Sequence, residues 1–277
     1  MDTRNIKLTL AYDGTDFFGW QVQRERRTVQ GVLQDALERM HGHPVRVVGA
    51  GRTDSGVHAT GQVASFFSDM ESIPPEKFRD AINSYLPRDL RVLDSEEAGP
   101  RFHARRSALQ RVYRYYIVCA PVLLPQQRNY RLWLRRRPDI VRLNEMASVL
   151  LGEHDFSCFT AEGAAGESRT RQVSISAFHA EGATLVYTIA AGSFLWKMVR
   201  TIVGTFLMLE EEGLGVPELA HIIAFASRAN AGATAPARGL FLERVVYGNE
   251  TSYHPEAVER AEHAGGSPGD GILPQPS

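Results

Sequence analysis

The sequence predicts an α+β fold made of two ferredoxin-like halves, each β-α-β-β-α-β, with antiparallel sheets, helices on one side and an active-site cleft between the halves. Three observations predict it. Alternating apolar strands and one-sided amphipathic helices follow one another in that order over residues 6–95, and the order returns over residues 108–247. Caps, glycines and prolines fall where each segment has to stop. In the first half a glycine-rich loop, residues 49–61, carries one arginine and one aspartate between two apolar runs. The resulting division is an N-terminal half, 1–104, that carries this loop, a C-terminal half, 105–248, and a disordered tail, 249–277, rich in Gly, Pro and Ser.

Residues 6–12 alternate and form a strand with Ile6, Leu8 and Leu10 inward. The loop that follows, 13–23, sets Phe17, Phe18 and Trp20 among glycines and polar groups, where aromatics either stack on bases or pack beneath the loop. Thr28 caps a helix with Val29, Leu33, Ala36, Leu37 and Met40 on one face, and Gly42 ends it. Strands at 45–48 and 62–67 flank the glycine-rich loop. Pro74 and Pro75 open a second helix with Phe78, Ala81, Ile82 and Tyr85 aligned, stopped by Pro87, and residues 89–95 return as a strand. In the second half, 108–118 is a long strand, and Asp139 caps a helix with Leu143, Met146, Ala147 and Leu150 aligned before Gly152. Strands at 171–179 and 184–191, an apolar helix at 194–211, a short helix from Pro217 and a strand at 240–247 complete it.

Composition narrows the function classes. No apolar stretch reaches the roughly 18 to 20 residues of a membrane span, and the start lacks the apolar region of a signal peptide, so the expected location is the cytoplasm. Cys119 and Cys158 stand far apart with no Cys-x-x-Cys pair, which argues against a disulfide framework or a structural zinc site. The net charge of −1 conceals a tail at −4 and a body at +3, so any site for a polyanion must be local. The basic residues are 28 arginines and 3 lysines, a bias that suits bidentate phosphate contacts and that genome-wide base composition also produces.

Several constellations carry chemical potential. Within the apolar run 194–209 lies Arg200, and a guanidinium in such surroundings needs a hydrogen-bonded partner. Asp54 in the glycine-rich loop is the candidate, and a facing guanidinium would favour the ionised carboxylate that a nucleophile requires. A plain interdomain salt bridge accounts for the same two residues. Arg101, Arg105, Arg106, Arg111 and Arg114 interleave with Phe102, Tyr113, Tyr115 and Tyr116, combining phosphate donors with stacking faces, or else forming a polar outer face of a sheet. Arg135, Arg136 and Arg137 form a second basic cluster, solvated or tracking a phosphate backbone. The glycine loop lacks the third glycine and the Lys-Ser/Thr ending of a phosphate-binding P-loop. His58, His103, His154 and Asp155 have no spacing that ties them into a metal site, so none is expected.

Taken together, seven segments resemble the tRNA pseudouridine synthase A family (TruA type). They are Tyr12-Asp13-Gly14-Thr15 with Gly19-Trp20-Gln21; Ala50-Gly51-Arg52-Thr53-Asp54-Ser55-Gly56-Val57-His58-Ala59 with Gly61-Gln62-Val63; and Phe102-His103-Ala104-Arg105. Then come Arg111-Val112-Tyr113-Arg114-Tyr115, Gly152-Glu153-His154-Asp155-Phe156, Met198-Val199-Arg200 with Ile202-Val203-Gly204, and Ala235-Pro236-Ala237 with Gly239-Leu240. The resemblance implies that Asp54 is the catalytic aspartate, Tyr113 the tyrosine against the target base, Arg200 the partner of Asp54, and Arg52 the arginine that assists extrusion of the nucleotide. It implies conversion of uridine to pseudouridine at positions 38 to 40 in the anticodon stem-loop of tRNA, without cofactor or metal, by a homodimer in which one tRNA touches both subunits. Arg105, Arg106, Arg111 and Arg135 to Arg137 are then expected to meet RNA phosphates. Trp196-Lys197 and the acidic tail depart from the family pattern. An idle RNA-binding module and a metal-dependent nuclease are the competing classes.

Overall fold

A computed structural model of the chain describes residues 3–160 and 168–248. The elements are β1 (Arg4–Tyr12), α1 (Val29–His41), β2 (Val48–Gly49), β3 (His58–Ser68), α2 (Phe78–Asn83), β4 (Leu90–Ala98), β5 (Ala108–Cys119), β6 (Leu132–Leu134), α3 (Ile140–Val149), β7 (Gly152–Asp155), β8 (Thr170–Glu181), β9 (Thr184–Ala191), α4 (Met198–Glu211), α5 (Val216–Phe225) and β10 (Leu240–Tyr247). The tail expected to be disordered, 249–277, lies outside the described residues.

Local chemistry sets most of these boundaries. On β1 the side chains of Ile6, Leu8 and Leu10 are fully buried, while Lys7, on the opposite face, reaches Glu96 at 2.8 Å. The Thr28 hydroxyl accepts the Gly31 N–H at the start of α1, and the Gly42 N–H bonds the Glu38 carbonyl at its end. Asp139 accepts from the N–H groups of Val141 and Arg142, and the aligned Leu143, Met146 and Ala147 of α3 are buried with Leu150 just after it. Phe206 of α4 packs edge-on against Tyr187, which itself stacks on Phe178, seating the helix on the sheet. At the other end of α4 the buried Glu210 accepts from Arg136 at 3.0 Å and from the Asp139 N–H at 3.0 Å, and the guanidinium holds its carboxyl below the usual range.

The sheet departs from expectation. In place of two separate antiparallel sheets, the strands form one ten-stranded sheet in the order β4-β1-β3-β10-β5-β9-β8-β7, with β2 beside β3 and β6 beside β5. The join is a short parallel pairing of β3 with β10, His58 opposite Phe241 and Ala59 opposite Leu242. It arises because β3 begins at His58, four residues before its apolar run, where Gly61 lets β10 come close. A Cβ at Gly61 would overlap the Glu243 carbonyl oxygen. Two helices are also shorter than expected. α2 is preceded by a 3₁₀ turn, Pro75–Lys77, and ends at Asn83, short of Tyr85, and α4 starts only at Met198 because Lys197 adopts φ 61°. Arg200 therefore sits in the first turn of α4 and not deep within the helix. No described helix is long and apolar enough to cross a membrane.

The join makes a stability prediction. Gly61→Ala forces β3 from β10 and should cost about 1 to 3 kcal/mol, whereas Gly99→Ala, with open space at its Cβ position, should be near neutral. Equal urea midpoints for both variants would contradict the role given to the join.

Candidate active site

The loop at residues 50–57 is fixed almost entirely through its backbone. The Ala50 N–H bonds the Val63 carbonyl at 2.7 Å, and the Gly51 carbonyl accepts from Gln62 Nε2 at 2.8 Å. Gln62 is fully buried, and its Oε1 takes the Val63 N–H, so the amide is satisfied on both sides. The Tyr12 hydroxyl meets Thr53 Oγ1 at 2.8 Å, and burial pushes that phenol up to about 12. Residues 13–20 lie against the outer side of the loop: the Trp20 N–H bonds the Thr53 carbonyl, and Gly19, at φ 83°, has no room for a Cβ, which would stand 2.6 Å from the same oxygen. Val57 N–H to Asp54 carbonyl closes a turn that presents the Asp54 side chain.

Arg200 Nη1 donates to Asp54 Oδ2 at 2.8 Å, and Arg200 Nε donates to the Ala235 carbonyl at 2.8 Å. The two side chains are 14% and 18% exposed, so the pair is half-sheltered and still reachable. Among the described residues nothing donates to Asp54 Oδ1, which leaves one carboxylate oxygen open. Tyr113, on β5, is buried beside this pair with its ring edge-on to Phe194 at 5.1 Å. Burial, with the nearby Tyr12 and the Asp54 charge adding to it, pushes the Tyr113 hydroxyl above its usual range and keeps it neutral. Asp54, Arg52, Tyr113 and Arg200 line one cleft of about 1480 Å³. Its walls carry seven basic side chains and a single carboxylate, Asp54. Arg46, Arg52, Arg105 and Arg106 are exposed there and have no ion-pair partner among the described residues. The charge of the cleft walls is thus strongly positive around one carboxylate, which favours anionic ligands there.

Four of the arginines expected at RNA phosphates are placed differently from Arg105 and Arg106. Arg111 lines the cleft but is buried, and its guanidinium donates to the carbonyls of Ala50, Arg105, Ala108 and Gly192, with 2.7 Å from Nη2 to Ala50. Its donors are used to hold the loop and not offered to phosphate, and desolvation lowers its pKa. Arg135, Arg136 and Arg137 lie outside the cleft: Arg136 pairs with Glu210, Arg137 donates to the Gly182 carbonyl, and Arg135 covers the Trp133 ring at 5.4 Å. His58, weighed as a metal ligand, is a packing residue. Its Nδ1 accepts the Gly14 N–H at 2.9 Å, its Nε2 donates to the Asn129 carbonyl, and its ring stacks on Phe241. Burial depresses its pKa and keeps it neutral. No group of three His, Cys, Asp or Glu side chains fit to hold a metal occurs among the described residues. The sequence analysis gave Gln62 and Phe194 no role of their own; the signal for Gln62 was an uncharged amide on an inward strand position directly after the loop.

Along most of its length the chain is similar to known proteins. The family model for tRNA pseudouridine synthase matches residues 9–105 and 146–248. A tRNA pseudouridine synthase A from Treponema denticola is 46% identical over 249 residues, covering 88% of this chain and 93% of that protein. Proteins of the same name from Moorella thermoacetica and Lysinibacillus sphaericus are 43% and 40% identical, covering 87% and 88% of this chain and 99% and 100% of their own lengths.

The role found for Arg111 is testable by equilibrium unfolding. Arg111→Met strips partners from buried carbonyls and should cost about 2 to 4 kcal/mol, while Arg105→Met, at an exposed position, should change stability by less than about 0.5 kcal/mol. An Arg111→Met protein as stable as the parent would show that the guanidinium does not hold the loop.

Proposed function

The chain belongs to the tRNA pseudouridine synthase family, whose members are isomerases acting on tRNA, and from that premise we propose that it converts uridine to pseudouridine at positions 38 to 40 of the anticodon stem-loop, with Asp54 as the reacting carboxylate and no cofactor. The observation that carries the reading is the Arg200–Asp54 pair, with Oδ1 open, inside a cleft whose other charged side chains are all cations.

The chemistry rearranges one nucleotide and consumes no second reactant. The N1–C1′ bond breaks with its electron pair leaving on uracil, the base turns, and C5 bonds to C1′. The proton on C5 is then lost to solvent and N1 gains one. Asp54 serves this in either of two ways: its Oδ1 adds to C1′ as the base departs and leaves again with its electron pair when C5 attacks, or it removes the C2′ proton to give a glycal and later returns it. The Arg200 guanidinium engages Oδ2 and fixes the carboxylate, which leaves Oδ1 to act on the sugar in both routes. The neutral Tyr113 supplies a wall for the detached uracil, whose retention in the cleft makes recapture effectively unimolecular. Extruding the uridine costs a few kcal/mol, which Arg52 and contact with the Tyr113 ring offset. Arg105 and Arg106 meet phosphates at the rim, and the exposed Arg135 and Arg137 meet them further along the RNA. The working form on this reading is a cytoplasmic homodimer that holds one tRNA across both subunits.

The test is release of hydrogen from C5 of labelled uridine in tRNA, run in a chelator. The parent protein should release it, Asp54→Asn should be slower by about a thousandfold or more, and Arg200→Met by about 10- to 100-fold. Tyr113→Phe, which keeps the ring, should stay within about tenfold. No release by the parent, or parental release by Asp54→Asn, contradicts the proposal, and chelator-sensitive chain cleavage would favour a nuclease.

A further inference from the structure

Trp196 is 54% exposed, while Trp20, in the same cleft, is 2% exposed. An exposed indole by itself is unremarkable, but here the chain holds it in place from both sides. Phe194 lies edge-on to Tyr113, Leu195 is buried, the Trp196 carbonyl accepts from Thr160 Oγ1 at 3.1 Å, and the Met198 N–H returns to the Leu195 carbonyl at 3.1 Å. The ring's exposure is therefore built into the turn. Lys197 adopts φ 61°, a left-handed conformation that a side-chain-bearing residue keeps only where its surroundings fix it. Its ammonium stands 4.6 Å from the Trp196 ring centroid. Both residues line the Asp54 cleft, and Lys197 precedes Arg200 by less than one helical turn.

We infer that Trp196 and Lys197 form a subsite for the nucleotide next to the extruded uridine, the indole stacking on its base and the ammonium meeting its phosphate. The inference rests on the cleft being the RNA site proposed above. An indole beside a cation, on a wall already rich in arginine, matches the demands of an unstacked nucleotide, which offers a π-face and a negative charge together. Every base has such a face, so this subsite contributes affinity and position in place of sequence choice. Flipping one uridine also strips its neighbour of a stacking partner, and Trp196 replaces that partner.

Intrinsic fluorescence reads this directly. Trp20 is buried, and Trp133, outside the cleft but beneath Arg135, is replaced by Phe in every protein used, so Trp196 is the reporter. An Asp54→Asn protein titrated with unmodified tRNA should show quenching that is absent when Trp196→Phe is added. Trp196→Ala should weaken tRNA binding by about tenfold, with Trp196→Phe within about threefold and the unfolding midpoints of both near the parent's. Lys197→Gln should lower the slope of log affinity against log salt by about 0.7 to 0.9. Quenching that persists in Trp196→Phe, or Trp196→Ala binding as tightly as the parent, overturns the inference. Hydrogen release by the parent protein is a separate readout, so a failed subsite and a failed enzyme assignment are distinguishable.

Discussion

One ion pair, Arg200 with Asp54, joins residues 146 apart in sequence, and the surrounding structure is arranged so that they meet. Sheltering such a pair costs desolvation that offsets much of its attraction, so its value lies in position more than in stability. The constraint closes on itself through the fold. Arg200 accepts the Ala235 N–H at its carbonyl and donates to the Ala235 carbonyl through Nε, which docks the first turn of α4 on the segment leading into β10. The start of β10 pairs with the start of β3, and β3 follows immediately on the loop that carries Asp54. Moving either charge would require moving the join of the sheet.

Arginine does two opposite jobs around this pair. Arg111 is buried and spends its fork of donors on four backbone carbonyls, pinning the loop at Ala50 with no carboxylate involved. Arg46, Arg52, Arg105 and Arg106 stay in solvent, where an unpaired charge costs little, and their donors remain available to a polyanion. Rigidity comes from the first kind and attraction from the second. A loop held by carbonyl contacts can present a carboxylate within a cationic cleft without letting the neighbouring arginines collapse onto it.

Much of this was legible in the sequence. Alternation placed Ile6, Leu8 and Leu10 in the core, caps placed α1 and α3, and an arginine in an apolar run asked for the carboxylate that Asp54 supplies. What escaped has common causes. The parallel join of β3 and β10 spans two residue pairs in a stretch, His58 to Gly61, with too little apolar pattern to show a strand. The late start of α4 turns on the φ of one lysine, to which periodicity is blind. Arg111 and Arg105 look alike in sequence, and only burial separates a guanidinium that satisfies backbone from one that faces solvent. The Arg135 to Arg137 cluster likewise divides once Glu210, 74 residues on from Arg136, is seen beside it.

The most direct test of the account is to map the product. tRNA treated with the protein, then with a carbodiimide and alkali, retains adducts only at pseudouridine, and these stop primer extension at the modified nucleotide. The account predicts intact tRNA with new stops confined to positions 38 to 40, absent after treatment with Asp54→Asn protein. Stops elsewhere in the tRNA, or stops that survive loss of the Asp54 carboxylate, would contradict it.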